Sequence, residues 1–151
     1  MPFLDLPQHR LHYQTEGRAD GPWLTFCNSL GTDLGMWQPQ VDALASQYRI
    51  LRYDRRGHGQ SSAPPGLYTV AELGADVLAL WDHLGIERSH FCGLSIGGLT
   101  GQWLGVHAGN RLRTLTVAAT AANIGTLDGW QARIAQVQHD GLLPLVDGTR
   151  E

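Results

Sequence analysis

A serine flanked by glycines, in the segment Gly93-Leu94-Ser95-Ile96-Gly97, constrains the fold of this chain more than any other feature. An apolar run precedes the segment and a helix-like run follows it, which predicts a strand that turns sharply into a helix at Ser95. The backbone of a serine at such a turn is strained, and side chains at Gly93 and Gly97 would collide with the turn. The hydroxyl then lies at a helix N-terminus, where free amides favour a developing oxyanion. We therefore predict that Ser95 is a nucleophile, the alternative being a plain glycine-rich turn.

The rest of the chain alternates between short apolar strands and amphipathic helices. The predicted strands cover residues 3–4, 11–15, 23–27, 49–53, 88–92 and 112–119. The predicted helices cover residues 36–46, 70–84, 96–108 and 127–138. Thr69 and Glu72 have the spacing of a capping box at the start of the second helix. Strands that alternate with helices through short loops predict an α/β protein with a doubly wound, mostly parallel sheet.

The alternation of strands and helices stops after Ala122. We predict that residues 1–122 form the N-terminal part of the α/β core and that residues 123–151 begin a helical cap, inserted after the sixth strand. That strand presents an apolar edge suited to another strand, so we expect self-association or docking of a missing C-terminal half.

Charge and hydropathy exclude several classes of partner. The net charge is −3 and the 11 basic residues are scattered, which gives no reason to expect nucleic acid or an anionic membrane. No run approaches the ~20 apolar residues of a membrane span, and the N-terminus has no signal-peptide pattern, so we expect a cytoplasmic protein. Cys27 and Cys92 are predicted to be buried small apolar residues in a reducing compartment, with a disulfide as the alternative.

Two further loops, together with the serine turn, resemble the α/β-hydrolase family over essentially the whole chain. In the loop after the fourth strand the matching residues are Asp54, Arg56, Gly57, Gly59 and Ser61. Many members carry His-Gly after the third strand, whereas this chain has the loop Asn28-Ser29-Leu30-Gly31-Thr32-Asp33, followed by Met36-Trp37. Within the family, this variant and the glycines at 97, 98 and 101 are similar to the 3-oxoadipate enol-lactonases.

The resemblance implies a serine hydrolase that opens the ring of a small carboxylated lactone. Ser95 would attack the lactone carbonyl, and the amides of Leu30 and Ile96 would hold the oxyanion. Asn28 and Ser29, in the same loop as Leu30, are assigned to substrate binding. The enolate that leaves would become the ketone of 3-oxoadipate, and no metal or organic cofactor is required.

The predicted cap helix carries a candidate for carboxylate recognition. Trp130 and Arg133 are three residues apart and share a helix face, which we expect to look down on Ser95. The guanidinium would clamp the substrate carboxylate while the indole covers the ring. In the alternative, Arg133 is a solvated surface charge and Trp130 only anchors the cap.

A serine nucleophile needs a histidine base oriented by a carboxylate, and the resemblance places both after the cap. His139 is predicted on the cap helix, and His58 is predicted to be a partly exposed residue of a turn. The other histidines are expected away from the active edge of the sheet: His9, His12, His83, His90 and His107. We therefore expect an incomplete chain that lacks the C-terminal strands and is inactive alone.

The alternative functions are a generic carboxylesterase, a C–C hydrolase, and a non-catalytic binding protein of the same fold.

Overall fold

The computed structural model of the protein describes residues 2–142. In this part of the chain the strands are β1 (Phe3–Asp5), β2 (Arg10–Gly17), β3 (Trp23–Cys27), β4 (Arg49–Tyr53), β5 (Ser89–Leu94) and β6 (Leu112–Ala118). They form one sheet in the order β1-β2-β4-β3-β5-β6. The pairs from β4 to β6 are parallel, and β1 and β2 join antiparallel at one edge. The mostly parallel sheet predicted from the sequence is confirmed.

Three helices cover the two faces of this sheet: α1 (Gln38–Leu44), α2 (Val70–His83) and α3 (Ile96–His107). A fourth helix, α4 (Leu127–Asp140), follows the last strand. Successive side chains of a strand point to opposite faces. Accordingly, Phe26 packs in a cluster with Val41 of α1, whereas its neighbour Cys27 belongs to a cluster with Val77 of α2 and Leu104 of α3. Burial on both faces explains why these strands are apolar runs rather than alternating ones.

The helix predicted at residues 36–46 begins earlier and is divided. The Asp33 carboxylate accepts a hydrogen bond from the Gly35 amide at 2.7 Å and starts a 3-10 turn over Leu34–Trp37. The α-helix then begins at Gln38, with Pro39 in its first turn, where a missing N–H has no consequence. The side-chain cap therefore sets where this helical segment starts.

A capping box begins α2, as the sequence predicts. The Thr69 hydroxyl accepts from the Glu72 amide at 3.2 Å, and the Glu72 carboxylate accepts from the Thr69 amide at 2.8 Å. We expect Thr69→Ala to lower the free energy of unfolding by about 1 kcal/mol, because it leaves a helix-terminal amide unpaired. Urea unfolding measures the difference. Thr69→Ser keeps the hydroxyl and should recover most of it, and equal unfolding midpoints for all three proteins would contradict the assignment.

The strand β6 forms the edge of the described sheet, and its side chains beyond Leu112 are exposed. Leu115 is 38% exposed and Val117 41% exposed, which confirms the predicted apolar edge. The helix α4 follows, and none of its described side chains is buried. Within residues 2–142 no helix has both the length and the apolar character needed to span a membrane. The division into a core and a cap at residue 122 stays a prediction.

Candidate active site

Ser95 occupies the turn between β5 and α3 in a strained backbone conformation. Its φ is 56° and its ψ −116°, a region that side chains other than glycine rarely adopt. The Ser95 amide donates to the Ala118 carbonyl at the end of β6 at 2.8 Å, which ties the turn to the neighbouring strand. The predicted strain is confirmed. The half-buried Ser95 side chain makes no hydrogen bond to another residue of the described chain.

The two glycines around Ser95 allow close approach to different parts of the backbone. A Cβ at Gly93 would overlap the backbone of Gly97, which is the collision within the turn that the sequence predicts. A Cβ at Gly97, in contrast, would overlap the carbonyl of Cys27 and lie 2.8 Å from that of Asn28. The nearest contacts of a side chain at Gly97 are thus with the end of β3 and the loop that follows it. The missing side chain of Gly97 lets the start of α3 approach the loop after β3, and this brings Ser95 and that loop together.

Asn28 anchors the loop that follows β3. It is fully buried, its amide nitrogen donates to the Tyr53 carbonyl at 3.2 Å, and its oxygen accepts from the Trp37 indole at 3.0 Å. Both ends of the side-chain amide are thus engaged within the protein. The structure places Asn28 beneath the loop as a positioning residue, whereas the sequence assigned it to direct substrate contact.

Leu30 is an exposed residue of this loop, and hydrogen bonds hold the residues on either side of it, Ser29 and Gly31. The Ser29 carbonyl accepts from the Thr32 hydroxyl at 2.9 Å and from Arg55 Nη2 at 3.0 Å. The next residue, Gly31, donates its amide to His58 Nε2 at 3.1 Å. The amide of Leu30, in contrast, makes no hydrogen bond to any residue that the structure describes.

The Ile96 amide is also without a hydrogen-bond partner in the described chain, as expected for the first residue of a helix. It lies next to Ser95 at the N-terminus of α3, where the helix dipole favours negative charge. Both amides of the sequence-predicted pair, Leu30 and Ile96, are thus unpaired in the described chain, and their convergence on one anion beside Ser95 stays a prediction.

Asp54, at the end of β4, joins three segments around the site. Asp54 is 1% exposed. One of its carboxylate oxygens accepts a hydrogen bond from the Leu34 amide at 2.8 Å. The other accepts one from the Gln60 amide at 2.9 Å and lies 2.7 Å from His12 Nδ1. A Cβ at Gly59 would overlap this carboxylate, so only glycine lets the loop close over it. The motif residues in this loop therefore build the support of the site rather than its reacting groups.

The position of His12 corrects the sequence-based expectation. Because β2 runs antiparallel to β4, the beginning of β2 lies at the carboxyl edge of the parallel strands, and His12 is buried there against Asp54. His9 lies at the same edge, 2.9 Å from Asp76. Both were expected away from this edge. Neither contacts Ser95, so they are support residues in the structure.

His58 is a partly exposed residue of the turn after β4, as the sequence predicts. It is half-buried beneath the loop after β3, within 3.2 Å of Arg55 Nη2 and of the Arg56 carbonyl. Burial and the positive charge of Arg55 lower the pKa of His58. Sequence reasoning missed both His58 and Arg55 as parts of the site, because their roles depend on contacts with a loop almost thirty residues earlier.

Trp130 and Arg133 share one face of α4, as their spacing predicts. The Arg133 guanidinium lies 5.6 Å from the centre of the Trp130 ring, and both line a cleft of about 200 Å³. The Trp130 indole donates to the Ile124 carbonyl at 2.6 Å, which fixes the helix to the segment before it. No hydrogen bond, ion pair or ring contact joins this face to Ser95 within residues 2–142. Its placement over Ser95 stays a prediction.

The remaining reactive groups lie outside this arrangement. Cys27 and Cys92 are both free thiols, and burial raises the pKa of each. A larger cleft of about 460 Å³, which includes Arg111, lies at the edge where β5 and β6 begin, opposite Ser95. No group of three His, Cys, Asp or Glu side chains is placed to hold a metal ion in the described part of the chain.

The chain matches known hydrolases over most of its length. The sequence profile of the alpha/beta hydrolase fold family matches residues 22–141. The chain is 52% identical over 135 residues to a 3-oxoadipate enol-lactonase of Acinetobacter baylyi, an alignment that covers 89% of the chain and 51% of that protein. The chain spans about half the length of the curated relatives it matches.

Solved structures of hydrolases superpose closely on this chain. A hydrolase from Pseudomonas aeruginosa superposes with a TM-score of 0.94 at 46% identity, covering 98% of this chain and 57% of that one. The enol-lactonase from Burkholderia xenovorans superposes with a TM-score of 0.91 at 45% identity, covering 98% of this chain and 58% of that one.

Proposed function

The chain belongs to the alpha/beta hydrolase fold family, and from this premise we propose that it supplies the nucleophile and oxyanion loop of a serine hydrolase that opens 3-oxoadipate enol-lactone. The observation that carries the proposal is the strained Ser95 at a helix N-terminus, next to the unpaired Ile96 amide; the Leu30 amide, in the loop after β3, is also unpaired in the described chain. The identity of 52% to proteins named 3-oxoadipate enol-lactonases supports the choice of substrate.

In the proposed reaction the Ser95 oxygen bonds to the lactone carbonyl carbon. Negative charge moves to the carbonyl oxygen, where the amides of Leu30 and Ile96 donate to it. The ring C–O bond then breaks, and the enolate that leaves takes up the proton lost by Ser95 and becomes a ketone. Water attacks the resulting ester, releases the carboxylate and restores the serine.

Proton transfer from Ser95 requires a histidine base held by a carboxylate. No histidine contacts the Ser95 hydroxyl within residues 2–142, so the base is not assigned to any of them. The activity is accordingly proposed for the enzyme expressed from its complete coding sequence, and the experiments below use that protein.

Arg133 is proposed to recognise the free carboxylate of the lactone, with Trp130 against the ring. We expect Arg133→Ala to raise KM for the carboxylated enol-lactone by roughly 10- to 100-fold, through about 1.5–3 kcal/mol of lost charged hydrogen bonding. Hydrolysis of a neutral ester of similar size should change less than about threefold, since it offers the guanidinium no partner. Initial rates for the two substrates measure the contrast.

Gln131→Ala, at an exposed position of the same helix, is the matched control and should affect neither substrate. Equal effects of Arg133→Ala on both substrates would remove Arg133 from recognition. A wild-type protein that hydrolyses neutral esters faster than the enol-lactone would favour the carboxylesterase alternative. A protein that binds the lactone without turnover would favour a non-catalytic role.

A further inference from the structure

The peptide between Ser29 and Leu30 is held by its carbonyl. The oxygen of that peptide accepts from Arg55 Nη2 at 3.0 Å and from the Thr32 hydroxyl at 2.9 Å. A trans peptide is planar, with its N–H directed opposite to its C=O. Fixing the Ser29 carbonyl therefore fixes the direction of the Leu30 N–H, which has no partner in the described chain.

Arg55 differs from the arginines beside it. Arg56 is 2.8 Å from a carboxylate oxygen of Asp76, and Arg52 is 2.6 Å from one of Glu16. Arg55 is 2% exposed, yet it has no carboxylate within 4.0 Å among the described residues, and its Nε is unpaired. A buried charge without a counter-ion lowers stability, so packing alone does not explain why an arginine stands here.

His58 completes the arrangement around Arg55. Its Nε2 accepts from the Gly31 amide at 3.1 Å and lies 3.2 Å from Arg55 Nη2, while its Nδ1 lies 3.2 Å from the Arg56 carbonyl. These contacts are satisfied together by a neutral imidazole with its proton on Nδ1, which donates to the carbonyl and leaves Nε2 as an acceptor. Neutral His58 thus holds both the guanidinium and the residue after Leu30.

We propose that Arg55 and His58 are positioning residues that lock the Ser29–Leu30 peptide with its N–H directed at the oxyanion. The lock rests on the proposed function, because it matters for turnover only if the Leu30 amide stabilises an oxyanion. A charged donor on the carbonyl also polarises the peptide, which makes the N–H at its other edge a stronger donor.

The lock is sensitive to pH. Protonated His58 cannot accept from Gly31, and it places a second positive charge beside Arg55. Burial and Arg55 lower the pKa of His58, while the Arg56 carbonyl and the charge of Asp54 oppose this shift. The lock is therefore intact at neutral pH and is lost as pH falls through a pKa below the ordinary histidine value of about 6.5.

Kinetics of variants in the full-length enzyme test the lock. Arg55→Met removes the donor to the Ser29 carbonyl, so we expect kcat to fall by roughly 10- to 100-fold, somewhat less than the ~10²–10³ for deleting an oxyanion donor outright. KM should change less than about threefold, and Arg55→Lys, which keeps a donor, should recover part of kcat. Arg18→Met and His107→Gln, at exposed positions, are the matched controls.

His58→Gln places a non-titrating acceptor near the position of Nε2. We expect it to keep kcat within about fivefold at pH 7.5, since the fall on losing a whole donor is far larger. A second readout needs no turnover: the ¹⁵N–¹H signal of Gly31, recorded in a Ser95→Ala background, should titrate with His58. In His58→Gln that titration should vanish.

The outcomes separate this proposal from the function it rests on. Full activity of the single variant Ser95→Ala would contradict the proposed function. The Gly31 signal would still test the lock in that case. An unchanged kcat in Arg55→Met, whether or not its Tm falls, would overturn the lock. A Gly31 signal that does not change as His58 is protonated would overturn the lock as well. If Arg55→Met does not fold, Arg55→Lys and His58→Gln still decide the question.

Discussion

Replacing Ser95 with alanine in the full-length enzyme is expected to lower kcat by about 10⁴-fold or more, as for other members of a catalytic triad. The hydroxyl is the only group that this substitution removes. The fold should survive, because the side-chain oxygen of Ser95 makes no hydrogen bond within the described chain. Steady-state hydrolysis of the enol-lactone and thermal unfolding measure the two effects.

A second substitution at the same position separates chemistry from backbone strain. Alanine keeps the Cβ, so Ser95→Ala retains the strained φ of 56° and should leave Tm unchanged. Glycine adopts this conformation without a clash, so Ser95→Gly should be as inactive as Ser95→Ala yet raise Tm. Ser46→Ala, at an exposed position, is the control for the loss of a serine hydroxyl. Near-full turnover by Ser95→Ala would exclude Ser95 as the nucleophile.

The features that could be predicted from the sequence are those with local causes. The strands Trp23–Cys27 and Arg49–Tyr53 have the predicted bounds, because short apolar runs ended by loops specify buried parallel strands. The strain at Ser95 and the cap at Thr69 also follow from residues within a few positions of each other.

The features that could not be predicted depend on distant partners. Nothing near His12 in the sequence shows that β2 runs antiparallel and carries it to Asp54, 42 residues later. The contact of Arg55 with Ser29 spans 26 residues and exists only once β3 and β4 are adjacent. The predicted position of Arg133 over Ser95 depends on tertiary packing in the same way, and the helix face that Arg133 shares with Trp130 does not determine it.

Asp54 shows how such distant contacts support the site, and its removal is expected to have the largest effect on stability. Asp54→Ala leaves the amides of Leu34 and Gln60 without their acceptor and removes the partner of buried His12. Deleting one partner of a buried charged pair such as Asp54 and His12 costs about 3–5 kcal/mol. Urea unfolding should therefore show a midpoint far below that of the wild type. Asp20→Ala, at an exposed carboxylate, should unfold at the same urea concentration as the wild type.

Asp54→Asn distinguishes the loss of acceptors from the loss of shape. Asparagine has the size of aspartate but only one acceptor oxygen, and the Leu34 and Gln60 amides approach opposite oxygens of the carboxylate. In either orientation the Asn amide group would face a backbone N–H, donor against donor. We therefore expect Asp54→Asn to lose most of the stability that Asp54→Ala loses, although it fills the same volume. An Asn variant as stable as the wild type would show that packing around Gly59, rather than the carboxylate, holds the two loops in place.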